Sequence, residues 1–241
     1  MKYWLHKMYN FAHAMKHTFQ TKPKLGTGIY TLPDIALILG IPYPKVSRWI
    51  NSFWNDRFGS KYGHSYTWSV DLTKAVNFPT LIELFTFYQL SNAGVSTSEL
   101  LNAHEILSEQ YKIKYPFATK KILESLRTEG RKVLFEQKDG SIFTVDATKQ
   151  FKLDFIKEFY VNLDFDSDSL AVRFWPIGKD KAVVCDPHHQ FGQPVIEGTN
   201  IQSETLYKMY QAEEPIDFIA ELYELPVNKV VNAIDFHKNA A

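Results

Sequence analysis

Two sets of side chains in this 241-residue chain have the types and spacing to do chemistry, and the chemistries differ. The first is Lys45, Ser47, Arg48 and Asn51, in the run PKVSRWIN. Arg and Asn can each make two hydrogen bonds to a base edge, to guanine and adenine respectively, and all four side chains are expected to enter the major groove. That set predicts recognition of double-stranded DNA. Lys61 and His64, a little downstream, could add contacts to phosphate or to the minor groove. The second set is Cys185 with His188 and His189. A cysteine beside a histidine can act as nucleophile and base, but no third group is placed to orient the pair. Adjacent histidines diverge and cannot form the single helical face of a zinc site. Cys185 is the only cysteine, which excludes a disulfide framework or a thiolate cluster and suits a reducing cytoplasm. Asp164, Asp166 and Asp168 alternate as at the start of a calcium loop, yet Ser169 and Trp175 stand where the loop needs glycine and glutamate. The chain is therefore expected to be a binding protein and not an enzyme, with no catalytic residues, no metal and no cofactor.

The elements that must position the first set form a helix-turn-helix pattern written twice. Residues 35–50 read IALILGIPYPKVSRWI and residues 219–234 read IAELYELPVNKVVNAI. Without gaps, Ile35/Ile219, Ala36/Ala220, Pro42/Pro226, Lys45/Lys229, Val46/Val230 and Ile50/Ile234 are identical. In each copy an Ile-Ala pair packs a first helix, an apolar residue fills the turn, and a proline opens a second helix, where a missing N–H costs little. Valine and isoleucine four apart then bury one face of the second helix and leave the other free.

Charge separates the copies. Residues 1–76 hold ten Lys or Arg against three Asp or Glu, while residues 77–241 hold seventeen against twenty-four. The formal net charge of zero thus conceals a surplus of seven positive charges followed by seven negative ones. Positive surface is what a phosphate backbone requires. Copy two is preceded by Glu213, Glu214 and Asp217 and contains Glu221 and Glu224, a face that would repel DNA. Copy one is read as the DNA reader, and copy two as a protein-facing or structural unit.

After copy one, FGSKYGHSYTWSVDL offers glycines for turns and alternating aromatics, predicting a two-stranded wing with Lys61 and His64 near its tip. Asn77 then caps a helix to about Asn92, and Ser96 or Thr97 caps another to roughly Lys112. The segments LPDIALILGIPYPKVSRWI and FPTLIELFTFYQLSNAGVSTSELLNAHEIL together resemble the MerR-type layout of helix, turn, helix, wing and two further helices. Residues 1–29 contain no acid, and Trp4, Met8, Phe11 and Met15 share one face of a possible helix. Such a segment can resemble an organelle-targeting peptide or a membrane-surface helix, but it is read as a basic arm, a helix docked on a neighbouring domain or a dimer contact. No apolar run there is long enough for a secretory signal or a membrane span. Further on, apolar runs flank Lys138-Asp139-Gly140-Ser141 as a hairpin, and LAVRFWPIG and KAVVCDP read as short strands. The eighteen Phe, five Trp and thirteen Tyr are spread at core spacing; Trp49 and Trp54 are the two that could instead stack on the bases of a single strand such as RNA.

Residues 184–201, VCDPHHQFGQPVIEGTNI, precede three helices expected at about 203–212, 216–223 and 226–237, the first capped by Ser203. Gly192, Gln193, Pro194, Gly198 and Thr199 make this stretch similar to a small domain of bacterial type II antitoxins, from which Asn200 departs by replacing an arginine. With the MerR-like segment, the chain resembles VapB-type antitoxins over roughly residues 28–237. The resemblance implies a PIN-like ribonuclease toxin as partner and repression of the protein's own promoter. The expected fold is mainly α with small β elements: a basic arm (1–27), a winged helix-turn-helix domain (28–130), a small α/β connector (131–180) and a helical C-terminal domain (181–241). The expected protein is a cytoplasmic homodimer, bound to its operator and to no membrane, since such readers use two half-sites. A regulator that senses a protein or ligand through its C-terminal half, with no toxin, is the alternative.

Overall fold

A computed structural model of the chain describes residues 26–70, 73–129, 132–137, 139–146, 160–166 and 170–239. The expected basic arm, residues 147–159 of the expected connector and Asp168 lie outside the described residues. The fold is mainly α with small antiparallel sheets.

Copy one begins with strand β1 (Tyr30–Thr31) and helix α1 (Leu32–Leu39). Thr31 and Asp34 form a reciprocal cap, the Thr31 hydroxyl accepting from the Asp34 N–H and the Asp34 carboxylate from the Thr31 N–H. Gly40 ends α1 in the left-handed region, and α2 (Tyr43–Arg48) follows. Copy two is built alike from α7 (Ile216–Leu222) and α8 (Val227–Asn239). The Ile41 N–H bonds the Ala36 carbonyl at 3.0 Å, and the Leu225 N–H bonds the Ala220 carbonyl at 2.9 Å. The N–H groups of Lys45 and Lys229 each reach the carbonyl of their opening proline at 2.9 Å. Ile35, Val46, Ile219 and Val230 are fully buried. The repeat read in the residues is thus a repeat of backbone geometry.

The turns differ in one residue. Gly40 has φ +60°, and Glu224 at the matching place has φ +52°. An L side chain there costs roughly 1–2 kcal/mol. Gly40→Ala, whose Cβ would meet nothing within 4 Å, should therefore lose about 0.5–1 kcal/mol once the chain entropy that glycine removal saves is deducted. Glu224→Gly should gain about 0.5–1 kcal/mol after the extra chain entropy of glycine is deducted. Urea titration of both variants checks the opposed signs.

Beyond Arg48 the helix continues to Tyr62, which corrects the expected wing. Residues Trp49–Gly59 form a π-helix, followed by a last α turn at Ser60–Tyr62 that Gly63 ends at φ +64°. Trp49, Ile50, Trp54, Phe58 and Gly59 are the buried positions. They recur every four to five residues, which suits i→i+5 hydrogen bonding better than an α-helix. Gly59 is required inside this helix because a Cβ would lie 2.8 Å from the His64 carbonyl oxygen. The hairpin comes later, as β2 (Thr67–Val70) and β3 (Thr73–Val76), and β1 joins it in the order β1-β3-β2.

Helices α3 (Phe78–Asn92) and α4 (Thr97–Tyr111) match their expected bounds, capped by Asn77 and Ser96. Between them, fully buried Glu83 accepts from the Phe117 N–H at 2.7 Å and meets His104 Nε2 at 2.5 Å. Phe58 of the π-helix stacks on the His104 ring at 4.0 Å. This polar pair, with the buried hydroxyls of Thr86 on the Phe117 carbonyl and of Ser108 beside His104 Nδ1, fastens the π-helix, α3 and α4 together. Helix α5 (Lys120–Ser125) leads to a three-stranded meander of β4 (Arg127–Glu129), β5 (Lys132–Glu136) and β6 (Ile142–Asp146). The hairpin about Gly140 falls as expected, but β4 starts the sheet before residue 131. Strands β7 (Leu163–Phe165) and β8 (Ala171–Phe174) pair, as do β9 (Val183–Val184) and β10 (Val195–Ile196).

Helix α6 (Ser203–Gln211) packs on α8. Its N-cap residue is Gln202, not Ser203. The Ser203 hydroxyl is spent instead on the Pro194 carbonyl at 3.2 Å and on His237 Nε2 at 3.0 Å. Burial holds His237 below its ordinary value of 6.5. The unfolded chain therefore takes up this proton first. Stability contributed by neutral His237 is complete above pH 6.5 and is lost as pH falls through 6.5 towards the folded pKa. Thermal melts between pH 7.5 and 5.5 should show a falling midpoint, with a shallower fall in His237→Gln.

Candidate nucleic-acid interface and the C-terminal motif

The exposed side of copy one is formed by α2, the start of the π-helix and the hairpin. Tyr43, Ser47 and Asn51 recur every four residues and so lie along one face. With Leu32, Pro33, Thr73 and Lys74 they line a groove of about 390 Å³ between helix and hairpin. Asn51 Nδ2 donates to Ser47 Oγ at 3.2 Å, and Asn51 Oδ1 accepts from Lys74 Nζ at 2.5 Å. The amide is thereby held by one group from the helix and one from the hairpin. Arg48 is exposed beside it and makes no hydrogen bond or ion pair among the described residues.

The six residues expected to read DNA divide in two. Ser47, Arg48 and Asn51 come together in this region. Lys45 lies half-buried over the Trp49 ring at 4.9 Å and the Tyr88 ring at 5.1 Å. Lys61 lies on the last helical turn, away from any hairpin tip. It is bound to Glu105 at 2.5 Å and to Glu109 at 2.8 Å, and their carboxylates push its pKa above the usual lysine range. Arg57 shares Glu105 at 2.5 Å, so two cations dock the helix onto α4. His64 is exposed between helix and hairpin, in a separate groove with Tyr62, Tyr66, Lys112 and Lys114. Trp49 and Trp54 are core residues. Lys74 and Tyr43 line the same groove, and neither was singled out in the sequence; β3 reads polar-polar-apolar-apolar and carries no alternation that would have marked Lys74.

The C-terminal motif is a clamp on copy one. Gly192, at φ +88°, lies so close to Tyr30 that a Cβ would stand 2.1 Å from the Tyr30 hydroxyl oxygen. Gln193 Nε2 donates to the Ile29 carbonyl at 2.9 Å and reaches Asp34 Oδ2, within the α1 cap, at 3.4 Å. The Ile29 N–H bonds the Phe191 carbonyl at 2.7 Å. The Pro194 carbonyl holds the Ser203 N–H at 2.9 Å, starting α6. Gly198 makes the turn after β10 at φ +82°, and the Thr199 hydroxyl donates to the Ile196 carbonyl at 2.8 Å. Motif residues thus join the two halves of the chain before the helices begin.

The groups around Cys185 are arranged structurally. Burial, reinforced by the Asp34 charge, pushes the Cys185 thiol far up, away from the thiolate a nucleophile requires. Burial opposes ionisation of Asp186, but the His188 N–H, the Arg173 guanidinium and His189 outweigh it and hold the carboxyl below its ordinary range. Asp186 accepts from Arg173 Nε at 2.9 Å and lies 3.2 Å from His189 Nδ1. Asp164 pairs with Lys179 at 2.6 Å, and no cluster of metal-ligating side chains occurs among the described residues. No described helix is long and apolar enough to cross a membrane.

Comparison with known proteins bears first on this clamp. The family model described as Protein of unknown function (DUF433) matches residues 183–237, a span that includes Gly192, Gln193, Pro194, Gly198 and Thr199. No curated protein matches the chain by sequence. Among solved structures the chain is similar to the X-ray crystal structure of Rv2018 from Mycobacterium tuberculosis. That likeness has a TM-score of 0.65 at 15% identity and covers 89% of this chain and 100% of that one. It is a likeness of fold.

Proposed function

We propose that the protein is a DNA-binding antitoxin of a type II toxin–antitoxin pair. In this reading copy one, its hairpin and helices α3 and α4 form a MerR-like winged reader that represses the protein's own promoter as a cytoplasmic homodimer. The acidic C-terminal section, a VapB-like partner domain, holds a PIN-like ribonuclease through complementary charge. The observation that carries the reading is the pair of helix-turn-helix units with one backbone geometry and opposite surfaces. One presents Arg48, Asn51 and Lys74; the other presents exposed Glu213, Glu214, Asp217, Glu221 and Glu224. A reader and a partner-facing unit are what an autoregulated antitoxin needs. No catalytic role is assigned to any residue.

Coexpression with the adjacent reading frames tests the pairing. A small neighbouring product that arrests growth alone, copurifies with this chain and loses its toxicity in its presence supports the reading. Copurification of nothing, with no rescue of growth, removes the toxin from it.

One observation favours a regulator that senses a ligand instead. A cavity of about 410 Å³ in the C-terminal section is lined by Arg173, Trp175, Asp186, His189, Thr199 and Asn200, among others. The indole Nε1 of buried Trp175 has no hydrogen-bond partner among the described residues. A small molecule that raises the melting temperature of the wild type, but not of Arg173→Ala, would favour this second reading.

A further inference from the structure

Copy two carries an apolar surface that copy one lacks. Leu222 occupies the place of Ile38; Ile38 is 4% exposed and Leu222 is 55% exposed. Phe218 replaces Asp34 and is 46% exposed, and Val227, opening α8, is 45% exposed. Phe218 and Leu222 are four residues apart on α7 and so share a face. Copy one packs α1 against β1 and β3, whereas α7 packs chiefly against α6 and α8. Around this surface stand five exposed acids: Glu213, Glu214, Asp217, Glu221 and Glu224. An apolar surface rimmed by charge of one sign marks a docking site for a partner of the other sign. A second identical face would bring five acids against five, so self-pairing of this face is disfavoured.

The chain itself contains a segment of the required chemistry. Residues 1–25, which lie outside the described residues, hold five lysines and no acid. Their Trp4, Met8, Phe11 and Met15 recur at the spacing of one helical face. The described chain starts beside the C-terminal section: a Cβ on Gly26 would lie 3.6 Å from His188 Nδ1. A stretch of that length reaches roughly 37 Å even if wholly helical.

We propose that residues 1–25 dock on copy two of the same chain, with Trp4, Met8, Phe11 and Met15 against Phe218, Leu222 and Val227 and the lysines over the acidic rim. The docked segment occupies the face that copy two would offer to any other basic partner. The proposal stands on the repeat and its charges and does not depend on there being a toxin.

The test uses the full-length protein with a benzophenone amino acid in place of Phe11. Irradiation followed by peptide mapping is expected to place the cross-link within residues 213–228, in molecules of monomer mass. The double variant Phe218→Ser/Leu222→Ser alters only exposed positions. It should lose that cross-link while keeping the wild-type melting temperature, and raised salt should weaken the yield. A cross-link elsewhere in the chain, only between copies, or unaffected by the double variant overturns the proposal.

Discussion

Gly192→Ala should be among the most damaging single-methyl additions to this protein, lowering its stability by about 2–5 kcal/mol. The new Cβ would lie 2.1 Å from the Tyr30 hydroxyl oxygen, 2.7 Å from Tyr30 Cζ and 3.3 Å from Gly28 Cα. Overpacking of this kind costs roughly 1–3 kcal/mol. The left-handed backbone at φ +88° adds about 1–2 kcal/mol for any L side chain. Tyr30 is fully buried between the two halves and has no room to swing aside. Its hydroxyl also lacks a hydrogen-bond partner among the described residues. Tyr30→Phe should therefore be neutral or stabilising, since an orphaned buried hydroxyl is itself a cost. Combined with Gly192→Ala it should recover part of the loss, because the nearest clashing atom is gone while Cζ and Gly28 remain. Urea denaturation of the four proteins gives the coupling energy, expected at about 1 kcal/mol. Strict additivity would mean that Gly192 and Tyr30 are not pressed together.

Arg48→Ala should weaken binding to a specific operator by about 1–3 kcal/mol and relax sequence preference at one base position. Arg48 is exposed beside the Asn51 amide and is free of ion pairs among the described residues, so its guanidinium is available for a bidentate contact with guanine. Lys74→Ala should act differently. Loss of a phosphate contact lowers affinity for all sequences alike and reduces the salt slope by about one. Lys61→Ala should leave binding nearly unchanged, because Lys61 is held by Glu105 and Glu109. Fluorescence anisotropy on one operator and its single-base variants separates the three. Equal losses at Lys61 and Arg48 would place the interface elsewhere.

How much of this was legible in the residues depended on how local the cause was. The repeated turn was visible because proline position, apolar spacing and caps act within a few residues. The bounds of α3, α4, α7 and α8 followed within about two residues for the same reason. The π-helix was hidden: its buried aromatics recur at intervals that match neither an α-helix nor a strand. That misplaced the hairpin and put Lys61 at its tip. Lys61 looked free because the acids that bind it stand 44 residues or more further along. The role of Gln193 was equally hidden, since the Ile29 carbonyl it holds is 164 residues away. Local glycines and a proline announced a tight loop but not what the loop would grip. The Ser203 cap failed because its hydroxyl had a better use, on buried His237.

Equilibrium binding of the full-length protein to its own upstream DNA decides whether copy one reads DNA. The titration should include a scrambled duplex of equal length and composition and span about 50–200 mM salt. Tighter binding to the upstream DNA is expected at every salt concentration, with log affinity falling linearly against log salt for both duplexes. Equal affinity for the two duplexes, or no binding at the lowest salt, would contradict DNA reading by copy one.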